Sequence, residues 1–296
     1  MASLSETHPA RLGIVLGLAA GAALSTGGVA LRFVEEASGW QVLFYRALAF
    51  SVMMACVLGW RHRAATPAHL RAVGSLGLVV AVMLGLGAIA YVFAILHTSV
   101  ANVVVILSAA PILTAVLSHW LLGERTDLVT WLAMLTVVGG ILVMFADGLQ
   151  AGGVLGLLIA LGAALMYALM LVALRRARSI DMLPATALSG PVTVCIAALM
   201  VDGLAIPAAD LALSVFLGTF QFGLGFALVT IATRYIAAAH VALLTLTEVV
   251  LAPLWVFVAI GEAPTMLGLA GALVVFAAVL AQAGYTLHAR RAGKMV

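Results

Sequence analysis

The sequence predicts an all-α integral membrane protein, with ten transmembrane helices arranged as two inverted five-helix repeats. Three observations carry that prediction. The 296 residues are 65% hydrophobic and only 8% charged, with a mean hydropathy of +1.25, whereas a soluble domain carries about a quarter charged residues. Charges, Pro and Gly divide the chain into ten apolar runs, each close to the ~20 residues that cross a hydrocarbon core as a helix. Three short motifs of the first half return in the second half at nearly constant spacing.

The first run, 12–31, follows a polar head, MASLSETHPAR, in which Arg11 is the single basic residue. GAALS is rich in small residues, so a cleaved signal peptide and a retained first span are both readings of this segment. The apolar run exceeds the ~7–15 residues of a signal-peptide core, and the repeat needs it, so it is taken as a span. Runs 40–60, 72–96, 100–122 and 128–146 complete the first half. Runs 153–174, 184–203, 211–232, 239–260 and 266–287 make the second. The connections are short and leave no room for a second domain.

Basic residues set the orientation. With the N-terminus inside, inner segments hold Arg11, Arg61, Arg63, Arg71, Arg125, Arg175, Arg176, Arg178, Arg234, Arg290, Arg291 and Lys294. Only Arg32 falls outside and only Arg46 within a span. This matches the positive-inside rule and fails for nine or eleven spans, so both termini are predicted to be cytoplasmic in a multi-pass inner-membrane protein. The net charge of +3 reads as basic loops on an anionic leaflet, and nucleic acid is not an expected partner. Cys56 and Cys195 fall in apolar segments and read as small packing residues, without disulfide or zinc spacing.

The repeat is written in glycines. GLG stands at 85–87 and 223–225, and GE at 123–124 and 261–262, both 138 apart; GAAL stands at 21–24 and 162–165, 141 apart. Each motif falls on the same span number in its half. Because each half has an odd number of spans, the second enters the membrane inverted, an arrangement common in secondary transporters, whose substrate sites lie near the midplane where helices are interrupted. The loop from span 2 to 3 carries Arg61, Arg63 and Arg71, and its counterpart carries only Asp202 and Asp210.

Candidate site residues are the polar and small residues at that depth. Gly85, Gly87, Gly223 and Gly225 admit two readings, close helix packing and cavity wall. Gln221 either binds a neighbouring helix or lines the cavity. Tyr91 and Tyr167 sit inside their runs, and a buried phenol needs a partner, which packing or a substrate provides. Ser25, Thr26, Ser108, Thr245 and Thr247 are placed to bond their own helix backbone, for most of them the simplest account. Asn102 and His240, at equivalent entrances of spans 4 and 9, are explained by interfacial exposure. Pro111 and Pro253 are expected to kink those spans. Glu124 and Glu262 read as turn residues, and VVGG and GLAGA as contact faces of spans 5 and 10. Arg46 is expected to snorkel outward or to pair with Glu35 or Glu36, with Glu248 as a further partner. Glu248 is the anomaly, since an unpaired carboxylate near the midplane is expensive. It is a buried acid bonding a neighbouring helix, a partner for a cationic substrate group, or a proton acceptor.

The stretch YVFAILHTSVANVVVILSAAPILTAVLSHWLLGERTDLVTWLAMLTVVGGILVMF resembles the EamA domain of the drug/metabolite transporter superfamily. So does RYIAAAHVALLTLTEVVLAPLWVFVAIGEAPTMLGLAGALVVFAAVLAQ in the second half. The resemblance covers nearly the whole chain, as EamA repeats at 11–146 and 152–288, and looks closest to the YddG-type exporters of aromatic and other amino acids. It implies ten helices, a central cavity built from spans 1, 3, 4, 6, 8 and 9, and export of small metabolites across the inner membrane by alternating access. The family often has an acidic residue followed by Pro on the ninth span. Here Val249 follows Glu248, and the first-half equivalent of Glu248 is Ala110.

The leading expectation is a secondary-active or facilitative transporter exporting amino acids of the aromatic, Met and Thr type. The alternative is an exporter of cationic drugs, with Glu248 as cation or proton site. An intramembrane enzyme needs a co-located nucleophile and base or a metal cluster; no HExxH occurs and no second acid shares the midplane. No P-loop is present. No cofactor or metal is expected. The expected partners are a small-molecule substrate and membrane lipid, in a monomer or weak homo-dimer.

Overall fold

A computed structural model describes residues 3–146, 149, 153–261 and 265–291; Glu262 and Lys294 lie outside them. The described residues form helices and turns, with no strand. Among them are nine helical segments long and apolar enough to cross a membrane, plus one shorter apolar helix, Leu128–Met144. Their outer surface is apolar: Leu199 and Val258 are 81% and 77% exposed, which suits lipid and not water. Trp60 and Trp120, also exposed, sit near helix ends, where amphipathic rings favour a membrane interface.

Several segments are continuous. These are α3 (Gly39–His62), α5 (Gly74–His97), α8 (Leu128–Met144), α9 (Val154–Arg176), α10 (Leu183–Met200) and α15 (Met266–Arg291). A short helix, α4 (Thr66–Ala72), extends the connection after α3. The other four segments are interrupted. The first divides into α1 (Ser3–Leu24) and α2 (Thr26–Arg32), and the fourth into α6 (Val100–Leu107) and α7 (Ala110–Leu122). The eighth runs from α11 (Ala208–Phe216) through a π-helical stretch, Leu217–Leu224, to α12 (Gly225–Ala232). The ninth divides into α13 (Ala238–Thr245) and α14 (Thr247–Ile260).

The interruptions have a local cause. At two of them the backbone ladder tightens to three-residue steps, Ala109 N to Ile106 O at 3.1 Å and Leu246 N to Leu243 O at 3.2 Å. Carbonyls freed in this way need donors at membrane depth, and nearby hydroxyls supply them. Ser25 and Thr26 donate to the oxygens of Ala22 and Ala23, Ser108 to that of Val105, and Thr245 and Thr247 to those of Ala242 and Leu244. Pro111 follows its break at the start of α7, where its missing N–H costs nothing. Pro253 lies inside α14, and the span breaks seven residues earlier, at Leu246.

Glycine permits the tightest helix contacts. A Cβ on Gly140 would stand 2.9 Å from Val275 Cγ2, and one on Gly271 would strike the Gly140 carbonyl and Met144 N, so α8 and α15 meet on the small faces read from VVGG and GLAGA. Cys56 and Cys195 depart from expectation, since both are exposed on the outer surface.

The two ends of the bundle differ. At one end α7 and α9 pack against α13, and α1 packs against α12 and α13, around a core that includes Met170, Leu171, Leu174, Ile236 and Leu243. Arg175, 7% exposed, fastens this end: its Nε donates to Glu124 Oε1 at 2.7 Å and its Nη1 to Thr233 O at 3.1 Å. Glu124 is thus a structural residue of its turn. Gly123, with φ 70°, ends α7, and it is Asp127 that caps α8, accepting from Thr130 N at 2.9 Å. At the other end α6 and α14 barely touch, as do α6 and α2. There Asp210 clips the α2–α3 connection, accepting from the backbone N–H groups of Glu36 at 3.0 Å and Ala37 at 2.8 Å.

Candidate functional site

The interrupted segments bring polar groups together inside the bundle. Glu248 stands in the first turn of α14, where the positive end of the helix dipole favours an anion. It is half-buried and, among the described residues, accepts no hydrogen bond and makes no ion pair. Tyr91 on α5 and Tyr167 on α9 both lie within its electrostatic reach. Tyr167 Oη is 3.0 Å from Thr245 Oγ1, across the α9–α13 contact.

Arg46 belongs to the same group, and its expected role is corrected. It is 9% exposed, and among the described residues it pairs with neither Glu35 nor Glu36 nor any other acid. Its guanidinium lies over the Phe222 ring, 5.0 Å from the centroid, within electrostatic reach of Tyr91. The reason is local packing. Gly218 presses so closely on the Arg46 carbonyl that no Cβ would fit, which brings this part of α3 against the π-helical stretch that carries Phe222. π-Helical segments are rare and frequent at functional sites.

Aromatic rings form the floor. Phe222 contacts Phe226 with centroids 4.5 Å apart and Phe50 at 5.2 Å, and Tyr167 meets Phe226 edge-on at 6.2 Å. Gln221, on the same stretch, donates from Nε2 to Leu24 O at 3.4 Å, while its Oε1 is buried without a partner. Trp255 Nε1 donates to Ser25 Oγ at 2.8 Å, tying α14 to the break in the first segment.

The other residues expected at the site are distributed around it. Ser108, Thr26 and Thr245 all mark helix breaks, and each hydroxyl is engaged by its own backbone. The four glycines each face a neighbouring helix. Gly85 faces Ser189 and Val192 of α10, Gly87 faces Met166 of α9, Gly223 faces Met53, and Gly225 faces Leu24. Asn102 is 6% exposed and bonds Thr98 Oγ1 at 2.8 Å, so interfacial exposure does not explain it. His240 is half-buried and sits 3.3 Å from Thr130 Oγ1, beside Gln282. Phe222 is the site residue that polarity did not single out in the sequence, and Arg46 was singled out there but not placed at the site. A charge well inside an apolar run was the available signal for Arg46.

A family model described as the EamA-like transporter family matches residues 11–146 and again residues 154–282. The chain belongs to the EamA-like transporter family. It is a membrane transporter of the drug/metabolite type, with two EamA repeats. No curated protein matches it. A solved protein crystal structure is similar over 90% of this chain and 95% of its own, at 18% identity and a TM-score of 0.78; a likeness at that identity concerns the fold.

Proposed function

We propose that this EamA-family chain exports amino acids of the aromatic, Met and Thr type, with related small metabolites, by alternating access across the inner membrane. In this reading the shorter helix Leu128–Met144 is a tenth span and the halves are inverted repeats. The breaks at Ser108 and Leu246, separated by the same 138 residues as the GLG and GE motifs, support the symmetry. Both termini are cytoplasmic, and the end fastened by Arg175 faces the cytoplasm, because most of the described Arg residues gather there. The opposite end, where α6 stands away from α14, faces outward.

One observation carries the reading: a buried Arg46 on Phe222 and an unpaired Glu248 beside the Tyr167–Thr245 pair stand on or against interrupted helices inside the bundle, as substrate-binding residues of transporters do. The substrate lies among them, with Gln221, Ser108, Thr245, Thr26 and the four glycines shaping the walls. Purified protein in proteoliposomes is expected to give saturable flux of labelled Phe, Met or Thr. Absence of flux for every metabolite offered sinks the proposal. Running the same assay with and without a pH gradient separates proton coupling from facilitation. Orientation is checked by single cysteines in a background with Cys56 and Cys195 replaced by Ser: Gly203→Cys labels from outside intact cells and Arg178→Cys does not.

A second reading, export of cationic drugs, is favoured by the unpaired carboxylate of Glu248. Under it, expression confers resistance to lipophilic cations, and Glu248→Gln abolishes that resistance.

A further inference from the structure

We propose that Arg46 and Glu248 bind opposite charges of one amphoteric ligand, Arg46 holding its anionic group and Glu248 its cationic group. The assignment rests on the transporter reading of the same site. Arg46 is more than nine-tenths buried and, among the described residues, has neither an ion pair nor a hydrogen-bond acceptor. Its guanidinium lies over the Phe222 ring. A guanidinium held inside a membrane bundle needs more compensation than one ring face provides. Glu248, also without a donor, has only the first turn of α14 to favour its charge.

The two charges do not neutralise each other. They make no ion pair, yet contacts link their surroundings: Arg46 lies on Phe222, Phe222 against Phe226, Phe226 against Tyr167, and Tyr167 bonds Thr245, three residues before Glu248. A ligand lying along these rings therefore meets a cation at one end and an anion at the other. A purely cationic ligand leaves Arg46 unpaired and is repelled by it; a purely anionic one has the same difficulty with Glu248. A ligand carrying both groups satisfies both residues, and the planar fork of the guanidinium matches a carboxylate bidentately. The Phe222, Phe226 and Tyr167 rings then offer an apolar surface to the remainder of the ligand.

The test uses matched probes on the full chain in detergent, with binding read by quenching of tryptophan fluorescence. Phenylalanine is compared with phenethylamine, which lacks the carboxylate, and 3-phenylpropionate, which lacks the ammonium. Methionine is compared with its own amine and acid counterparts. In at least one series the intact amino acid is expected to bind about tenfold more tightly than either partial probe, the loss of one charge-assisted contact. Arg46→Gln closes the gap between amino acid and amine but keeps the gap to the acid, and Glu248→Gln does the reverse. Arg46→Lys retains the charge without the fork and restores part of the preference. A purely structural Arg46 weakens all probes alike, which overturns the assignment. So does an amine or acid that binds wild type as tightly as its amino acid in both series, or failure of every probe to bind. If Arg46→Gln does not fold, the wild-type comparison still decides. Flux in proteoliposomes separates the two proposals. Charge-selective binding without flux overturns the transporter reading alone. Phenethylamine flux as fast as that of phenylalanine overturns the ligand assignment alone.

Discussion

A single hydroxyl pair marks where the site meets the packed end. Tyr167 Oη and Thr245 Oγ1 join α9 to α13 at 3.0 Å, and Thr245 also serves the backbone at the break. Tyr167→Phe keeps the ring and its edge contact with Phe226 but removes the hydrogen bond. It is expected to destabilise the protein by about 1 kcal/mol, read as a lower Tm in detergent. Thr245→Val loses the bond to Ala242 O as well and is expected to cost more, with the double variant no worse than Thr245→Val alone, because the Tyr167–Thr245 bond is already gone in either single variant. Arg175 and Glu124 form the stronger contact of that end. Glu124→Ala leaves a guanidinium that is 7% exposed without its carboxylate, and such a loss costs about 3–5 kcal/mol when both partners are fully buried. Glu124 is 28% exposed, so the effect is expected toward the lower end. Arg175→Met in the same chain is expected to recover much of the loss, and a double variant less stable than Glu124→Ala contradicts this account.

Between elements, small residues decide how near two helices come. At Gly271 an added Cβ would strike backbone atoms of α8, which cannot turn aside as a side chain can. Gly271→Ala is expected to lower stability by about 1–3 kcal/mol. Gly139, also on α8, has nothing within 4 Å of an added Cβ, and Ala there is expected to raise stability slightly through helix propensity. Thermal melts of the two variants check both signs; equal effects would refute the contact argument. Elements of this kind were legible in the sequence because apolar length and glycine spacing are local signals. The spans, the small faces of α8 and α15, and the interior position of Glu248 were read from them. The π-helical stretch was not legible; it packs through Gly218 on the Arg46 carbonyl, a contact between residues 172 positions apart. Arg46, buried against Phe222 of that stretch, likewise departs from the expectation of snorkelling. The break at Leu246 was missed for a related reason: proline is visible as a letter, whereas a ladder tightened by neighbouring threonines is not.

For the whole molecule, the inverted-repeat proposal makes each contact at one end the template of a contact at the other. The 141-residue offset of GAAL relates Tyr167 to Thr26, and the 138-residue offset of GLG and GE relates Thr245 to Leu107. Tyr167 and Thr245 touch at the packed end, whereas α2 and α6, which carry Thr26 and Leu107, barely meet at the open end. Two states exchanged by the symmetry therefore differ in which of these pairs is closed. A ligand that moves the site from one side to the other must populate the second state, and its binding free energy can shift the balance only through contacts that differ between the two. Cysteines at positions 26 and 107, with Cys56 and Cys195 replaced by Ser, report the exchange directly. A short bifunctional thiol reagent is expected to leave the pair largely unlinked in the resting protein, and to link it several-fold faster during flux of labelled phenylalanine. The linked protein is expected to stop transporting until the tether is cleaved. Linking at the same rate with and without substrate, or continued flux in the tethered protein, contradicts exchange between symmetry-related states.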